Sequence, residues 1–210
     1  MATPADLRQF APATQRNREP ILEVLLQVLP SHGTILEIAS GTGEHAIFFA
    51  PQLKPRIWLP SDPNPILRDS ITAWSKQFPS DNLLLPLNID ASLPTWPIEQ
   101  EAKPDSPIVA IVNINMIHIS PWSACLGLMA GAGRILPKDG ILYLYGPYKQ
   151  GGKHTALSNQ AFDQSLQAQN PVWGVRNLED VVAVANNHDL ILVNTYQMPA
   201  NNLSVVFKKH

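Results

Sequence analysis

The sequence predicts an α/β protein with a seven-stranded, mostly parallel sheet that carries one antiparallel strand at the C-terminus. Apolar β-type runs alternate with runs of helical periodicity, which is typical of a parallel sheet with crossover helices. A glycine turn joins the first strand to its helix, in TILEIASGTGEHAIFFA. Only MPANN separates the last two β-type runs. That connection is too short for a helical crossover, so the final strand must be antiparallel.

Local signals predict each element in turn. Pro30 and Pro51 end the first two helices, because the proline ring removes a backbone donor and clashes with the preceding turn. The run 108–114 is almost wholly apolar, which favours a central strand buried on both faces. The predicted strands are residues 34–39, 56–59, 83–87, 108–114, 140–145, 190–197 and 203–208. The predicted helices are residues 18–29, 44–50, 65–77, 121–136, 158–169 and 177–187. The third helix is expected to face inward with Ile66, Leu67, Ile71 and Trp74.

The chain shows no repeat, linker or low-complexity run. Residues 1–210 are therefore predicted to form one domain, with a helical N-terminal segment over residues 1–30. A polar stretch, GPYKQGGKHTALSNQ, follows the fifth strand and is too long for an ordinary connection. We expect residues 146–176 to contain a substrate loop or lid.

Composition and charge argue against several classes of protein. A net charge of -2 and a pI of about 6.3 argue against a nucleic-acid-binding surface. No window reaches the roughly 20 apolar residues of a membrane span, and the N-terminus lacks the apolar core of a signal peptide. Cys125 is the single cysteine, which prevents an intrachain disulfide and favours a buried thiol. The histidines show no metal-ligand spacing. We expect a cytoplasmic protein with no nucleic-acid or membrane partner.

The glycine turn predicts a nucleotide-type ligand site. Gly41 and Gly43 let the backbone approach a ligand closely, and the following helix presents unpaired N–H groups to an anionic group. Glu37 is costly inside a buried strand but could meet a cationic group near the strand's carboxyl end. S-adenosylmethionine, which carries an ammonium and a carboxylate, suits this pair.

A nicotinamide cofactor is the alternative ligand. Gly41-x-Gly43-x-x-Ala46, with Asp62 about 20 residues further on, also fits the dinucleotide fingerprint. Glu37 argues against that interpretation, because pyrophosphate binding has no use for an acid inside the first strand. The antiparallel C-terminal pair is equally foreign to an all-parallel dinucleotide sheet. The methyl donor is therefore favoured.

The chain resembles class I S-adenosylmethionine-dependent methyltransferases, and more closely a little-characterised family of small methyltransferase-like proteins. The stretches that carry the resemblance run from residue 10 to residue 208: FAPATQRNREPIL, ILEIASGTGEHA, WLPSD, NMIHISPW, LYGPY and NLSVVFKK. The resemblance implies a three-layer, Rossmann-like methyltransferase fold.

The resemblance also implies roles for residues of the donor site. Glu37 would lie near the methionine end, with Ser40 and the backbones of Gly41 and Gly43 beside it. Asp62 would accept from both ribose hydroxyls. The remaining implied contacts are Asp90 with the adenine amino group, Ile89 with the adenine ring, and Asn113 or Asn115 beneath the sulfonium. Ala39 stands where the family's first turn glycine is usual, which puts the donor's pose in question.

Each of these residues has a structural alternative. Glu37 could pair with Arg16 or Arg18, and Asp62 could be a turn or helix-cap residue before Pro63. Asp90 could be a loop acid. Asn113 and Asn115 need partners wherever they are buried, whatever their function.

His118 is the candidate general base, because imidazole titrates near neutral pH. Tyr148 and His154 on the predicted lid are further candidates near the acceptor, and Arg16 and Asn17 could fold over the donor site. The favoured function is methylation of a small molecule. The alternatives are a non-catalytic protein that binds S-adenosylmethionine or S-adenosylhomocysteine, and an NAD-dependent oxidoreductase. The fourth strand ends in NINM, not Asn/Asp-Pro-Pro-aromatic, which disfavours nucleobase methylation.

Overall fold

The computed structural model describes residues 6–100 and 104–210. Its helices are α1 (Pro12–Val28), α2 (Glu44–Gln52), α3 (Pro65–Gln77), α4 (Trp122–Ile135), α5 (Leu157–Gln169) and α6 (Leu178–Asn186). The strands of the main sheet are β1 (Thr34–Ile38), β2 (Ile57–Ser61), β3 (Ile108–Ile114), β4 (Ile141–Gly146), β8 (Leu190–Met198) and β9 (Asn202–Lys209). Three short strands, β5 (Tyr148–Gln150), β6 (Lys153–His154) and β7 (Arg176–Asn177), form a second sheet.

The main sheet has six strands in the order β2-β1-β3-β4-β9-β8. Strands β2, β1, β3 and β4 pair in parallel, whereas β9 is antiparallel to both β4 and β8. The mostly parallel α/β architecture and its single antiparallel C-terminal strand are thus confirmed. The short connection between β8 and β9 accounts for the reversal, because it leaves no room for a crossover.

The predicted strand at residues 83–87 does not form a seventh strand. It makes two isolated parallel bridges to β2, at Leu83 and Leu87. Between them, Pro86 has no N–H to donate, and Leu85 is 70% exposed. This stretch therefore follows the edge of β2 without a continuous hydrogen-bonded ladder.

Alternate residues of the strands face two separate cores, one on each face of the sheet. On one face, Leu36 and Leu142 pack among residues of α4 and α6, such as Leu128 and Val181. On the other face, residues of α1 and α2 pack against Ile35, Val112 and Tyr143. Strands that are buried on both faces lose the polar alternation of a half-exposed strand, as the run 108–114 indicated.

Three details of the helices differ from the sequence prediction. Helix α1 begins at Pro12, where proline's fixed φ suits a first helical turn, and not at residue 18. Helix α2 continues through Pro51 to Gln52, since a proline close to a helix end costs little pairing. Ile66 is 60% exposed, so it does not belong to the buried face of α3. The bounds of α3 itself are as predicted.

Residues 148–177, which we call the cap, fold into β5, β6, α5 and β7 and are not an irregular loop. Across the residues that the structure describes, no helix has the length and apolar character to span a bilayer. Cys125 is buried as a free thiol, as expected.

Candidate functional site

The glycine turn follows β1 at the carboxyl edge of the sheet, where ligands bind in open α/β folds. Ala39, Gly41 and Gly43 all have positive φ, at 58°, 58° and 92°. A Cβ on Gly43 would lie 2.8 Å from the Ile71 backbone, so this glycine lets the turn pack on α3. A Cβ on Gly41 would meet nothing within 4 Å. Gly41 therefore borders open space, and Ala39 accepts a strained conformation that costs about 1–2 kcal/mol.

Asp62 lies at the end of β2, directly beside this turn. Its Oδ2 accepts the backbone N–H of Gly41 at 3.0 Å, and its Oδ1 accepts that of Asn64 at 2.9 Å. Burial raises the pKa of Asp62, and the two backbone donors and Arg68 oppose that rise. A carboxylate has about four lone-pair sites, so one acceptor position on each oxygen remains free. Two hydroxyl groups on neighbouring carbons match this pair of free positions.

Ser40 fastens the turn to β2. Its N–H donates to the carbonyl of Ser61 at 2.8 Å, and its Oγ accepts the Ser61 N–H at 3.1 Å. The side chain of Ser40 thus has a structural role in joining the ends of β1 and β2.

Glu37 is 1% exposed, and its carboxylate accepts the indole N–H of Trp58 at 3.0 Å. Burial raises the pKa of Glu37 to about 7, and the Trp58 hydrogen bond only partly opposes this. Within the described residues, Glu37 forms no ion pair. The alternative pairing with Arg16 or Arg18 is therefore wrong: Arg16 is exposed, and the Arg18 guanidinium stacks 4.5 Å from the centre of the Phe48 ring.

A cleft of about 240 Å³ opens beside the turn. The sequence identified Ile89 and Asp90 on one of its walls. Oδ1 of Asp90 accepts the N–H and the Oγ–H of Ser92, at 2.9 and 2.7 Å, whereas Oδ2 accepts no hydrogen bond from the residues described. The opposite wall escaped sequence reasoning, although part of it lies in NMIHISPW. That wall includes Met116, Ser120, Pro121, Ser123 and Ala124.

The two asparagines at the end of β3 have different surroundings. Asn113 is buried and donates its Nδ2–H to the carbonyl of Ile38 at 2.8 Å, which links β3 to β1. Asn115 has a left-handed backbone, with φ at 65°, and its N–H donates to the carbonyl of Tyr145 at 2.8 Å. Asn115 therefore turns the chain from β3 into the loop that carries Met116 and His118.

His118, in the loop after β3, packs against Tyr148, the first residue of the cap. Both side chains are 0% exposed, and their rings meet edge-to-face with centroids 5.2 Å apart. Among the residues that the structure describes, neither ring nitrogen of His118 has a hydrogen-bond partner, and the Tyr148 hydroxyl has none either. Burial lowers the pKa of His118 to about 3 and raises the pKa of Tyr148 well above 10. Both groups are thus neutral near pH 7. Gly146 leaves room for the imidazole, because a Cβ there would lie 2.3 Å from its Nε2.

The remaining predicted residues fall in two other places. His154 lies in β6, and its Nε2 is 3.2 Å from the Asp163 carboxylate, within the cap. Asn17 is buried in α1, where its Oδ1 is 2.8 Å from Nε2 of His45 in α2. Burial lowers the pKa of His45 to about 3, so this contact joins two neutral side chains. Within the described ranges, no group of three or more His, Cys, Asp or Glu residues could hold a metal ion.

Several solved structures with a similar fold are described as methyltransferases. An O-methyltransferase family protein from Burkholderia thailandensis superposes with a TM-score of 0.76 at 10% identity, over 94% of this chain and 57% of that one. An O-methyltransferase family 2 protein from Planctomyces limnophilus, solved with apigenin, superposes with a TM-score of 0.70 at 18% identity. The match covers 92% of this chain and 62% of that one. A putative sarcosine dimethylglycine methyltransferase from Galdieria sulphuraria superposes with a TM-score of 0.69 at 13% identity. The match covers 97% of this chain and 92% of that one. This chain spans less than two thirds of the first two proteins.

The strand order and these likenesses define a class I methyltransferase fold. A family model matches residues 8–209, so the chain belongs to the DUF938 family, which is described as a protein family of unknown function.

Proposed function

We propose that this protein is an S-adenosylmethionine-dependent methyltransferase that acts on a small-molecule acceptor. One observation carries the proposal: Asp62 is fixed against the glycine turn by Gly41 while one acceptor position on each carboxylate oxygen stays free. This is the arrangement that a ribose diol requires. The methyltransferase neighbours support the same function at the level of the fold.

Residues around the cleft fit the rest of the donor. Ile89 offers an apolar surface to the adenine ring, and the free Oδ2 of Asp90 can accept its amino group. Glu37 and the turn at Gly41 and Gly43 would serve the methionine end of the donor. Asn113 and Asn115 would hold the end of β3 near its sulfonium.

Bound S-adenosylmethionine supplies a methyl group activated by its sulfonium. The protein's task is then to align the acceptor with that carbon and exclude water from both. We assign His118 the role of general base for an acceptor that must lose a proton; burial lowers its pKa to about 3, so it becomes an effective base only when the cap opens and solvent reaches the imidazole. Tyr148, beside it, stays protonated and can donate a hydrogen bond to the same group. Arg16, Asn17 and His154 are assigned to the acceptor side.

The acceptor is proposed to be small because a net charge of -2 argues against a nucleic-acid substrate. The burial of His118 is the observation that favours the alternative of a non-catalytic binding protein. In that case the protein would bind donor or product without turnover.

Thermal unfolding with S-adenosylmethionine, S-adenosylhomocysteine and NAD tests the proposal. A ligand at 100 times its Kd should stabilise the protein by about 2.7 kcal/mol. We expect stabilisation by both adenosyl compounds. Stabilisation by NAD alone would contradict the proposal. Release of S-adenosylhomocysteine from S-adenosylmethionine in the presence of a metabolite pool would then distinguish an enzyme from a binding protein.

A further inference from the structure

Arg176 fastens the cap to the loop that follows β3. Its Nε donates to the carbonyl of Ile117 at 2.9 Å, and its Nη2 donates to the carbonyls of Ser120 and Val172 at 2.7 and 3.0 Å. The guanidinium also lies 5.6 Å from the centre of the Trp122 ring. One side chain in β7 thus holds two backbone carbonyls of residues 115–121, which we call the wall loop, and one carbonyl of the cap itself.

The cap is itself tied together at one buried carboxylate. Asp163 is 4% exposed, and it accepts the N–H of Val175 at 2.7 Å. Lys149 and His154 approach the same carboxylate at 2.9 and 3.2 Å. Strands β5 and β6, helix α5 and the approach to β7 therefore share one polar centre, which ties the cap together as one unit.

The wall loop faces the donor cleft on one side and the cap on the other. Met116 and Ser120 line the cleft, as described above. Between them, His118 lies beneath the cap, and its carbonyl accepts the N–H of Gly174 at 2.9 Å. A ligand in the cleft and a displacement of the cap would therefore act on the same short segment.

We propose that Arg176 is a positioning residue that couples occupation of the donor cleft to closure of the cap over His118. This inference rests on the proposed function, because it takes the adenosyl group as the ligand of the cleft. A ligand against Met116 and Ser120 restricts the wall loop, and Arg176 passes that restriction to the cap. Thermodynamic linkage requires the converse, so a closed cap strengthens donor binding by the same factor. The acceptor then enters while the cap is open, and closure shields the transfer from water.

Amide hydrogen exchange with and without S-adenosylhomocysteine tests the coupling. In the wild type, the compound should slow exchange both around the cleft and across residues 148–177. In Arg176→Gln, it should slow exchange around the cleft only, with a Kd raised about fivefold or more. Arg176→Lys keeps one charged donor and should restore part of the effect on the cap. Arg134→Gln is the matched control: Arg134 lies in α4 and pairs with Glu99 at 2.8 Å, near Ile108 at the amino end of β3. In Arg134→Gln, S-adenosylhomocysteine should still slow exchange across the cap.

The two proposals fail in different ways. Equal slowing across the cap in the wild type and in Arg176→Gln would overturn the coupling and leave the donor site intact. No effect of S-adenosylhomocysteine on the wild-type cleft would overturn the proposed function itself. A measurement on the wild type avoids variants that fold poorly: diethyl pyrocarbonate should modify His118 more slowly when S-adenosylhomocysteine is bound. A modification rate that the compound does not change would also overturn the coupling.

Discussion

The indole N–H of Trp58 donates to the Glu37 carboxylate across 3.0 Å, between neighbouring strands and away from solvent. One hydrogen bond does not offset the burial of a carboxylate, and the pKa of Glu37 rises to about 7. Because the ionised Glu37 destabilises the fold at neutral pH, we infer that it serves ligand binding and not stability.

Glu37→Gln should remove the free-energy cost of ionising a buried carboxylate, which lowers the stability of the wild type as the pH rises. The folded protein holds the Glu37 proton more tightly than the unfolded chain, so the contribution of Glu37 is most favourable below pH 4.5 and is lost as the pH rises to about 7. The shift corresponds to about 3 kcal/mol. Glutamine stays neutral and can still accept from Trp58. We expect the variant to gain up to about 3 kcal/mol over the wild type between pH 4.5 and 8 in urea unfolding. A difference that does not change with pH would contradict this.

The same variant tests the proposed role of Glu37 at the methionine end. If the carboxylate meets the donor's ammonium, Glu37→Gln should bind S-adenosylhomocysteine more weakly at pH 8, despite its greater stability. Isothermal titration calorimetry measures this. An unchanged Kd would make Glu37 an acid of the core alone.

Asp62→Ala should abolish donor binding. It removes two charge-assisted acceptor positions, each of which contributes about 1.5–3 kcal/mol, so the Kd for S-adenosylhomocysteine should rise roughly a hundredfold or more. Asp69→Ala is the control, because Asp69 is an exposed acid in α3. Because Asp62 also accepts from Gly41, circular dichroism should show that the variant is folded. A folded variant with wild-type affinity would refute the ribose assignment.

Ala39→Gly should be neutral or stabilising by up to about 1 kcal/mol. Glycine relieves the strain of φ at 58°, but it also gives the unfolded chain more freedom. Ala161→Gly is the contrasting control: Ala161 is exposed in the interior of α5, where glycine should destabilise the protein by about 1 kcal/mol. Equal destabilisation of both variants in urea unfolding would contradict the assignment of strain to Ala39.

Local features of the sequence predicted much of the donor side. The positions of Gly41 and Gly43 follow from one turn, and Asp62 follows from the end of the next strand. The opposite wall of the cleft depends on contacts between distant residues, such as Arg176 with Ile117, 59 positions apart. A local sequence pattern cannot predict a contact between residues so far apart in the chain. The prediction of a seventh strand at residues 83–87 is wrong for a local reason, because Pro86 lies within the apolar run.

Gly146→Ala should destabilise the protein through His118. The new Cβ would lie 2.3 Å from Nε2, and neither the buried ring nor β4 has room to move. Overpacking of this kind costs about 1–3 kcal/mol. Gly151→Ala is the control for a positive φ: Gly146 has φ at 157° and Gly151 at 57°, but a Cβ on Gly151 would meet no atom of the described residues within 4 Å. Equal losses of unfolding free energy in the two variants would show that backbone strain, and not a clash with the imidazole, destabilises Gly146→Ala.

His118→Leu should separate stability from catalysis. Leucine has a similar volume and removes two buried ring nitrogens that lack partners, each a cost of about 1–3 kcal/mol. The melting temperature should therefore hold or rise. The affinity for S-adenosylhomocysteine should stay unchanged, because His118 lies beneath the cap and not in the donor cleft. If His118 is the general base, methyl transfer should fall by roughly a hundredfold or more once an acceptor is known. An unchanged rate in a folded variant would leave His118 with a structural role, and a lower melting temperature would show that its nitrogens are partnered in solution.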